Sequence, residues 1–363
     1  MFRKERDADK LVKRRSEGRP LKNMLVTGGC GFIGSNFINR FIRENPEVHI
    51  HNLDKLDYCA NVNSVEEDVR ASGRYHFIRG DICNSDFVIY LLEKADIDTI
   101  VHFAAASHVD NSFGNSLSFT RNNVQGTHTL LECARVYNKV EKFIHVSTDE
   151  VYGEVTQSQS ESGFLNPTNP YAATKAAAEF IVKSYLISFD LPVIITRGNN
   201  VYGKYQYPEK VIPRFTMLLH YNQKLTIQGT GQNTRTFIHA NDVANAFSFI
   251  VKHGVVGEIY NIGSNEEHSV EAIASKIIRR VKGPDVNVSD YIEFVRDRAF
   301  NDTRYDIDTT KLKTLGWKEE VQFEEGLNET IDWYHKTALP QRFWEDIKMH
   351  IDHEIVDYPK TPN

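Results

Sequence analysis

The chain predicts an α/β protein: a doubly wound parallel sheet followed by a smaller C-terminal α/β substrate-binding lobe. Three observations carry that expectation. From Met24 onward, short β-branched runs alternate with helical stretches, as expected when helices cover both faces of a parallel sheet. A glycine-rich turn, Thr27-Gly28-Gly29-Cys30-Gly31-Phe32-Ile33-Gly34, stands where the first run gives way to a helix. The length, 363 residues, suits a large core shared between two lobes.

Strands are expected at Met24 to Thr27, Val48 to Leu53, Tyr75 to Arg79, Thr99 to Phe103, Lys142 to Val146, Val193 to Thr196 and Glu258 to Ile262. Each is a short run rich in Val, Ile, Leu, Phe or Thr. Between the first two, Phe32 to Arg43 carries apolar residues at helical spacing, and Leu130 to Tyr137 does the same before the fifth. After Asn199 the alternation weakens, because Pro208, Pro213 and several glycines interrupt it. Helical patterns return at Asp242 to Lys252, Val270 to Val281 and Glu324 to His335. The expected division is a basic, disordered extension at 1–22, a cofactor domain at 23–198 with about 236–265, a substrate lobe at 199–235 and 266–340, and a tail at 341–363.

A net charge of −6, from 43 basic and 49 acidic side chains, gives no reason to expect nucleic acid or a membrane surface as partner. Residues 1–23 differ, with nine Lys or Arg against four Asp or Glu. So polar a segment cannot bury enough surface to offset its ordering entropy. No apolar run reaches the roughly 18 residues of a membrane helix. The four cysteines form no C-x-x-C pair, which fits a reducing, cytoplasmic setting. His49-x-His51 and His350-x-x-His353 lack further ligands nearby in sequence, so no metal is expected.

The glycine turn has the chemistry of a dinucleotide site. Gly28, Gly31 and Gly34 recur every third residue, allowing a tight turn and close approach to a pyrophosphate, while the N-terminus of the helix opening at Phe32 and Ile33 favours negative charge. Asp54 ends the second strand 20 residues after Gly34, where a carboxylate can accept a ribose 2′-hydroxyl. A 2′-phosphate would be repelled there, so NAD is expected over NADP. Asp81-Ile82 follows the third strand, and Ala104-Ala105-Ala106-Ser107 follows the fourth. Both fall on the same sheet edge, where small side chains leave room for a ligand.

Two further motifs suggest oxidation combined with elimination. Ser147-Thr148-Asp149-Glu150-Val151-Tyr152-Gly153 puts a hydroxyl and two adjacent carboxylates at a strand end, the edge on which α/β folds bind ligands. Adjacent acids repel, which separates their pKa values and suits one as acid and the other as base. Tyr171-x-x-x-Lys175 then places a phenol and an ammonium on one helix face, a pairing expected to lower the phenol's pKa. Spacing alone is weak, since Tyr90-x-x-x-Lys94 repeats it. Tyr171 differs in following the rigid Asn166-Pro-Thr-Asn-Pro170 turn.

Together these motifs resemble the extended short-chain dehydrogenase/reductases, whose sheet is a Rossmann fold, and within them the nucleoside-diphosphate-glucose 4,6-dehydratases. The likeness runs from about Lys22 to Lys336. It also rests on Asn52-Leu-Asp-Lys-Leu-Asp-Tyr58, Ser107-His-Val-Asp110, Arg197-Gly-Asn-Asn-Val-Tyr-Gly203, Pro208-Glu-Lys-Val-Ile-Pro213 and Asn301-Asp-Thr-Arg-Tyr305. The resemblance implies conversion of dTDP-glucose to its 4-keto-6-deoxy derivative through bound NAD, with UDP-glucose as the alternative substrate. Tyr171 would take the C4 hydroxyl proton, Lys175 tune it, Thr148 hold the C4 oxygen, Glu150 remove the C5 proton and Asp149 protonate the leaving C6 hydroxyl. Lys55 would join the cofactor residues. Ser107, Thr148, Asn200, Lys210, Val211, Arg235, Arg298 and Asn301 would meet the sugar nucleotide, and a homodimer is implied. Asn122 and the Arg197-Gly-Asn-Asn-Val run depart from the pattern of many bacterial members. A 4-epimerase or decarboxylase would use Tyr171 and NAD, but has no need of Asp149-Glu150.

Overall fold

The computed structural model describes residues 20–297, 302 and 304–344. The expectations for residues 1–19 and 345–363 lie outside that range. In chain order the strands are β1 (Asn23–Thr27), β2 (His49–Asp54), β3 (Tyr75–Arg79), β4 (Thr99–His102), β5 (Lys142–Thr148), β6 (Val193–Gly198), β7 (Asn200–Tyr202), β8 (Leu225–Gln228), β9 (Thr234–His239), β10 (Ile259–Ile262), β11 (Glu267–Ser269) and β12 (Ile292–Val295). The longer helices are α1 (Phe32–Glu44), α2 (Ser85–Lys94), α3 (Gly126–Tyr137), α4 (Pro170–Phe189), α5 (Val211–His220), α6 (Ala240–His253), α7 (Val270–Lys282) and α8 (Phe323–Trp333).

Seven strands form one parallel sheet in the order β10-β6-β5-β4-β1-β2-β3. Alternation along β1 explains why both faces are covered. Met24 and Val26 pack with Phe37, Phe41 and Phe247 of α1 and α6, whereas Leu25 points the other way, into a core with Leu91, Leu131 and Val182 of α2, α3 and α4. The chain order reverses between β1 and β4, the topological switch point at which such sheets bind ligands. β5 and β6 each run two residues past their expected ends. Ser147 pairs with Arg197 and Thr148 with Gly198, which carries the Ser147-to-Gly153 motif to the sheet's carboxyl edge.

The second core gathers around β8, β9, α5, α7 and α8, with Phe215, Leu219, Ile227, Ile273, Ile277 and Leu327 buried together. Its strands form a β11-β9-β7 sheet and a β12-β8 pair. The sequence gives little sign of these short strands, because their partners lie far along the chain. Among the described residues no helix is long and apolar enough to cross a membrane. Nor does any group of three or more His, Cys, Asp or Glu there suit a metal ion.

Candidate active site

A single turn of 3₁₀ helix, Asp149–Tyr152, follows β5. Thr148 caps it: the hydroxyl oxygen accepts the Glu150 N–H at 3.3 Å, and the hydroxyl donates to Asp149 Oδ1 at 3.2 Å. Asp149 is 3% exposed, and Asn199 Nδ2 donates to its Oδ2 at 2.7 Å. Burial, reinforced by the neighbouring Glu150 charge, pushes this carboxyl up to about 7. Glu150 is less buried, and its Oε2 accepts Asn169 Nδ2 at 3.0 Å. Adjacent in sequence, the two acids occupy different environments.

α4 opens on Pro170, with the Asn169 side chain accepting the Ala172 N–H at 2.8 Å. Tyr171 and Lys175 lie one turn apart and are both buried. Burial, with the charges of Glu150 and Asp149, holds the Tyr171 phenol above its ordinary value, with nearby Thr148 acting in the other direction. Lys175 Nζ donates to the Val146 carbonyl at 2.6 Å, and burial pulls its ammonium down to about 8. The expected lowering of the phenol by Lys175 is therefore corrected. In the protein alone the ammonium is turned onto a strand carbonyl, and the charges acting on Tyr171 are negative. The second Tyr-x-x-x-Lys pair lies on α2, where Tyr90 is exposed.

A cavity of about 350 Å³ opens beside these groups, lined by Thr148, Asp149, Glu150 and Tyr171 from the first lobe and by Asn200, Lys210, Val211 and Arg235 from the second. Ser107, Phe32 and Ile33 line it too. Lys210 Nζ donates to the Ser107 carbonyl at 3.0 Å, joining the two sides. Arg235 donates to the Asp302 carbonyl at 2.8 Å, and its guanidinium lies 4.8 Å from the Tyr305 ring centroid. Arg298 and Asn301 lie outside the described residues.

Around the glycine turn the residues fit a dinucleotide. Gly28 has φ +72°, and a Cβ there would stand 2.6 Å from the Ala104 backbone. A Cβ on Gly34 would stand 2.6 Å from the Gly28 carbonyl oxygen. Gly31 begins α1 with no side-chain cap, so its first-turn N–H groups are available to an anion. Asp54 accepts the Cys30 N–H at 2.9 Å and the Leu56 N–H at 2.8 Å, and burial raises its pKa. Lys55 pairs with Asp57 at 2.8 Å and donates to Asn122 Oδ1 at 3.2 Å. Asp81 receives the Cys83 N–H at 2.9 Å and Arg121 at 3.0 Å, with Ile82 buried next to it. Ala104 and Ala105 lie in the loop after β4 that Asn123 secures, its Oδ1 accepting the Ala106 N–H at 2.8 Å.

The family model described as GDP-mannose 4,6 dehydratase matches residues 25–330. The chain belongs to this family. A dTDP-D-glucose 4,6-dehydratase of Homo sapiens is 48% identical over 318 residues, covering 87% of this chain and 90% of that protein. A trifunctional UDP-glucose 4,6-dehydratase/UDP-4-keto-6-deoxy-D-glucose 3,5-epimerase/UDP-4-keto-L-rhamnose-reductase of Arabidopsis thaliana is 49% identical over 331 residues, 90% of this chain. The chain spans about half, 48%, of that plant relative's length. Among solved structures, the dTDP-glucose 4,6-dehydratase DesIV from Streptomyces venezuelae, with NAD bound, superposes with a TM-score of 0.84 at 37% identity, covering 90% of this chain and 99% of that one.

In this dehydratase-family chain, sequence reasoning missed four residues that touch the site. Asn199 holds Asp149, Asn169 holds Glu150, Tyr305 lies against Arg235, and Asn123 links the 104–107 loop to Thr174 of α4 at 3.0 Å. Asn169 before Pro170 had a signal, as a helix cap. Asn199 and Tyr305 stand inside runs already noted, Arg197 to Gly203 and Asn301 to Tyr305, but nothing local shows what they touch, and Asn123 has no signal, because the partners are remote in sequence.

Proposed function

We propose that the chain is an NAD-dependent hydro-lyase that converts dTDP-glucose to dTDP-4-keto-6-deoxyglucose and water. The observation that carries this reading is the pair Asp149-Glu150 on one cavity with Tyr171. One acid keeps a proton near neutrality while the other faces the same space beside Asn169. An epimerase has no use for two such acids.

Gly28, Gly31, Gly34, Asp54 and the first turn of α1 hold NAD, which supplies a reversible hydride acceptor for C4 and donor for C6. Thr148 positions the C4 oxygen, and Tyr171 would take its proton once the cationic ring of bound NAD offsets the burial and negative charges that keep the phenol protonated in the protein alone, with Lys175 buried one turn away. The C4 ketone makes the C5 proton acidic, and Glu150 removes it. Asp149 gives its proton to the C6 hydroxyl as the C6–O bond breaks and water leaves. Glu150 returns its proton to C5 as C6 accepts hydride, and exchange with solvent carries the proton gained by Tyr171 away and restores the one given up by Asp149, so protons and electrons balance over the cycle. Ser107, Asn200, Lys210, Val211 and Arg235 bind the nucleotide diphosphate, with Arg298 and Asn301 assigned there on sequence alone. In this reading residues 23–198 with 236–265 form the cofactor domain, and 199–235 with 266–340 the substrate lobe.

UDP-glucose is the second reading, favoured by the plant relatives, which match as well as the animal ones. Turnover on each sugar nucleotide, with glucose deuterated at C4, tests both. The expected product is a 4-keto sugar with deuterium at C6 and no net NADH. Recovery of a ketone-free epimer overturns the dehydratase assignment. We also infer a cytoplasmic homodimer. All four cysteines are free, and Phe180 and Ile187, seven residues apart on α4, expose an apolar stripe of the kind a second copy covers. Light scattering of the purified protein checks the dimer.

A further inference from the structure

Beneath the catalytic turn lies a buried charge network that the reaction chemistry leaves without a role. Arg197 is 1% exposed and Glu179 0%. The guanidinium grips the Glu179 carboxylate through Nε at 3.0 Å and through its second terminal nitrogen at 2.7 Å. Its remaining terminal nitrogen donates to the Tyr152 hydroxyl at 2.7 Å and to the Glu161 carbonyl at 3.2 Å. Tyr152 in turn donates to Asn261 Oδ1 at 2.9 Å. Asn261 is held by Glu161 on its N–H and donates to the Gln159 and Asp308 carbonyls, each at 3.0 Å.

Each member sits on a different part of the site. Glu179 is on α4, one turn beyond Lys175 and two beyond Tyr171. Tyr152 closes the turn that bears Asp149 and Glu150. Arg197 is on β6, opposite Ser147, and two residues later Asn199 holds Asp149. A charge pair out of contact with solvent is a poor source of stability, since desolvation offsets most of its attraction. Its bidentate geometry does fix direction and distance. We propose that Arg197, with Glu179 and Tyr152, forms a positioning brace that sets the elimination acids, Asp149 and Glu150, against the oxidation pair, Tyr171 and Lys175. The brace therefore governs the second half of the reaction more than the first. This inference rests on the dehydratase reading above.

Tyr152→Phe is the test, because it keeps the ring and leaves the Arg197–Glu179 pair intact. With wild type as control, turnover of dTDP-glucose and UDP-glucose is measured alongside the absorbance of reduced nicotinamide on the enzyme. The expected result is a fall in kcat of about 10²-fold, the scale of an ångström of misplacement, with KM within about twofold. Reduced nicotinamide should accumulate in the steady state, since C4 oxidation outruns elimination. A thermal melt shows whether the fold survives. If it does not, Arg197→Lys, which keeps a charge for Glu179 but cannot also reach Tyr152, should give the same signature. Unchanged kcat, or a loss without accumulated reduced nicotinamide, overturns the brace. Wild type that forms no 4-keto sugar from either substrate overturns the dehydratase reading and the brace together.

Discussion

At the scale of single residues, the site turns on what burial does to two neighbouring acids. Asp149 is driven up to about 7, so the folded protein holds its proton more tightly than the unfolded chain does. The resulting stability is complete below about pH 4 and is lost as pH rises through about 7. Asp149→Asn should therefore match wild type in acid and gain up to about 4 kcal/mol over it above neutrality. Thermal midpoints at about pH 4 and about pH 8 read the difference. The same variant should lose about 10²- to 10⁴-fold in turnover, and wild-type turnover should decline above about pH 7, where the acid is spent. Glu150→Gln should remove the C5 base and halt elimination by a comparable factor while C4 oxidation persists. Failure of C5 deuterium exchange from solvent, with reduced nicotinamide still forming, is the expected pattern. The sequence announced both acids by placing them after a hydroxyl at a strand end. It could not show that Asn199 and Asn169 would take one each, because those contacts span 50 and 19 residues.

At the scale of elements, the proposed reading has backbone groups position NAD, and the glycine turn was legible because glycine alone tolerates φ +72° against the Ala104 backbone. Asp54 was expected as a ribose acceptor. The structure adds that its carboxylate ties the turn to the end of β2 by accepting the Cys30 N–H. Asp54→Ala should therefore do two things: leave that N–H unpaired and weaken NAD by about 10- to 100-fold, the scale of one to two charged hydrogen bonds. NAD titration by calorimetry measures the loss. A change confined to stability, with NAD affinity kept, would contradict the ribose role. The strands of the large sheet were readable because each is a compact apolar run buried on both faces. β7, β9 and β11 were not, since β7 and β9 mix polar with apolar residues, β11 is polar throughout, and β7 and β11 span only three residues each.

Across the whole molecule, the cavity lies in a gap between the carboxyl edge of the large sheet and the elements of the second core, and the chain returns to the large sheet with β10 between the segments that line it. Lys210 spans the resulting gap to the Ser107 carbonyl. Lys210→Ala should raise the KM for the sugar nucleotide by about 10- to 100-fold, as expected for one lost charge-assisted bond, and alter kcat far less. Initial rates over a range of substrate concentrations separate the two. The return itself was anticipated from the helical run at Asp242 to Lys252 and the strand ending at Ile262, because their pattern matches that of the first lobe. By itself, then, the sequence determined the parallel sheet and the glycine turn, and it singled out Thr148, Asp149, Glu150, Tyr171 and Lys175 as the candidate set. Each of these is encoded in a local run or spacing that fixes backbone geometry. Tertiary structure alone decided that Lys175 faces a strand carbonyl, that Asn199 holds one acid and Asn169 the other, and that Arg197 joins Glu179 to Tyr152 beneath the Asp149–Tyr152 turn. Those facts depend on burial and on contacts between distant segments, and no local pattern records them.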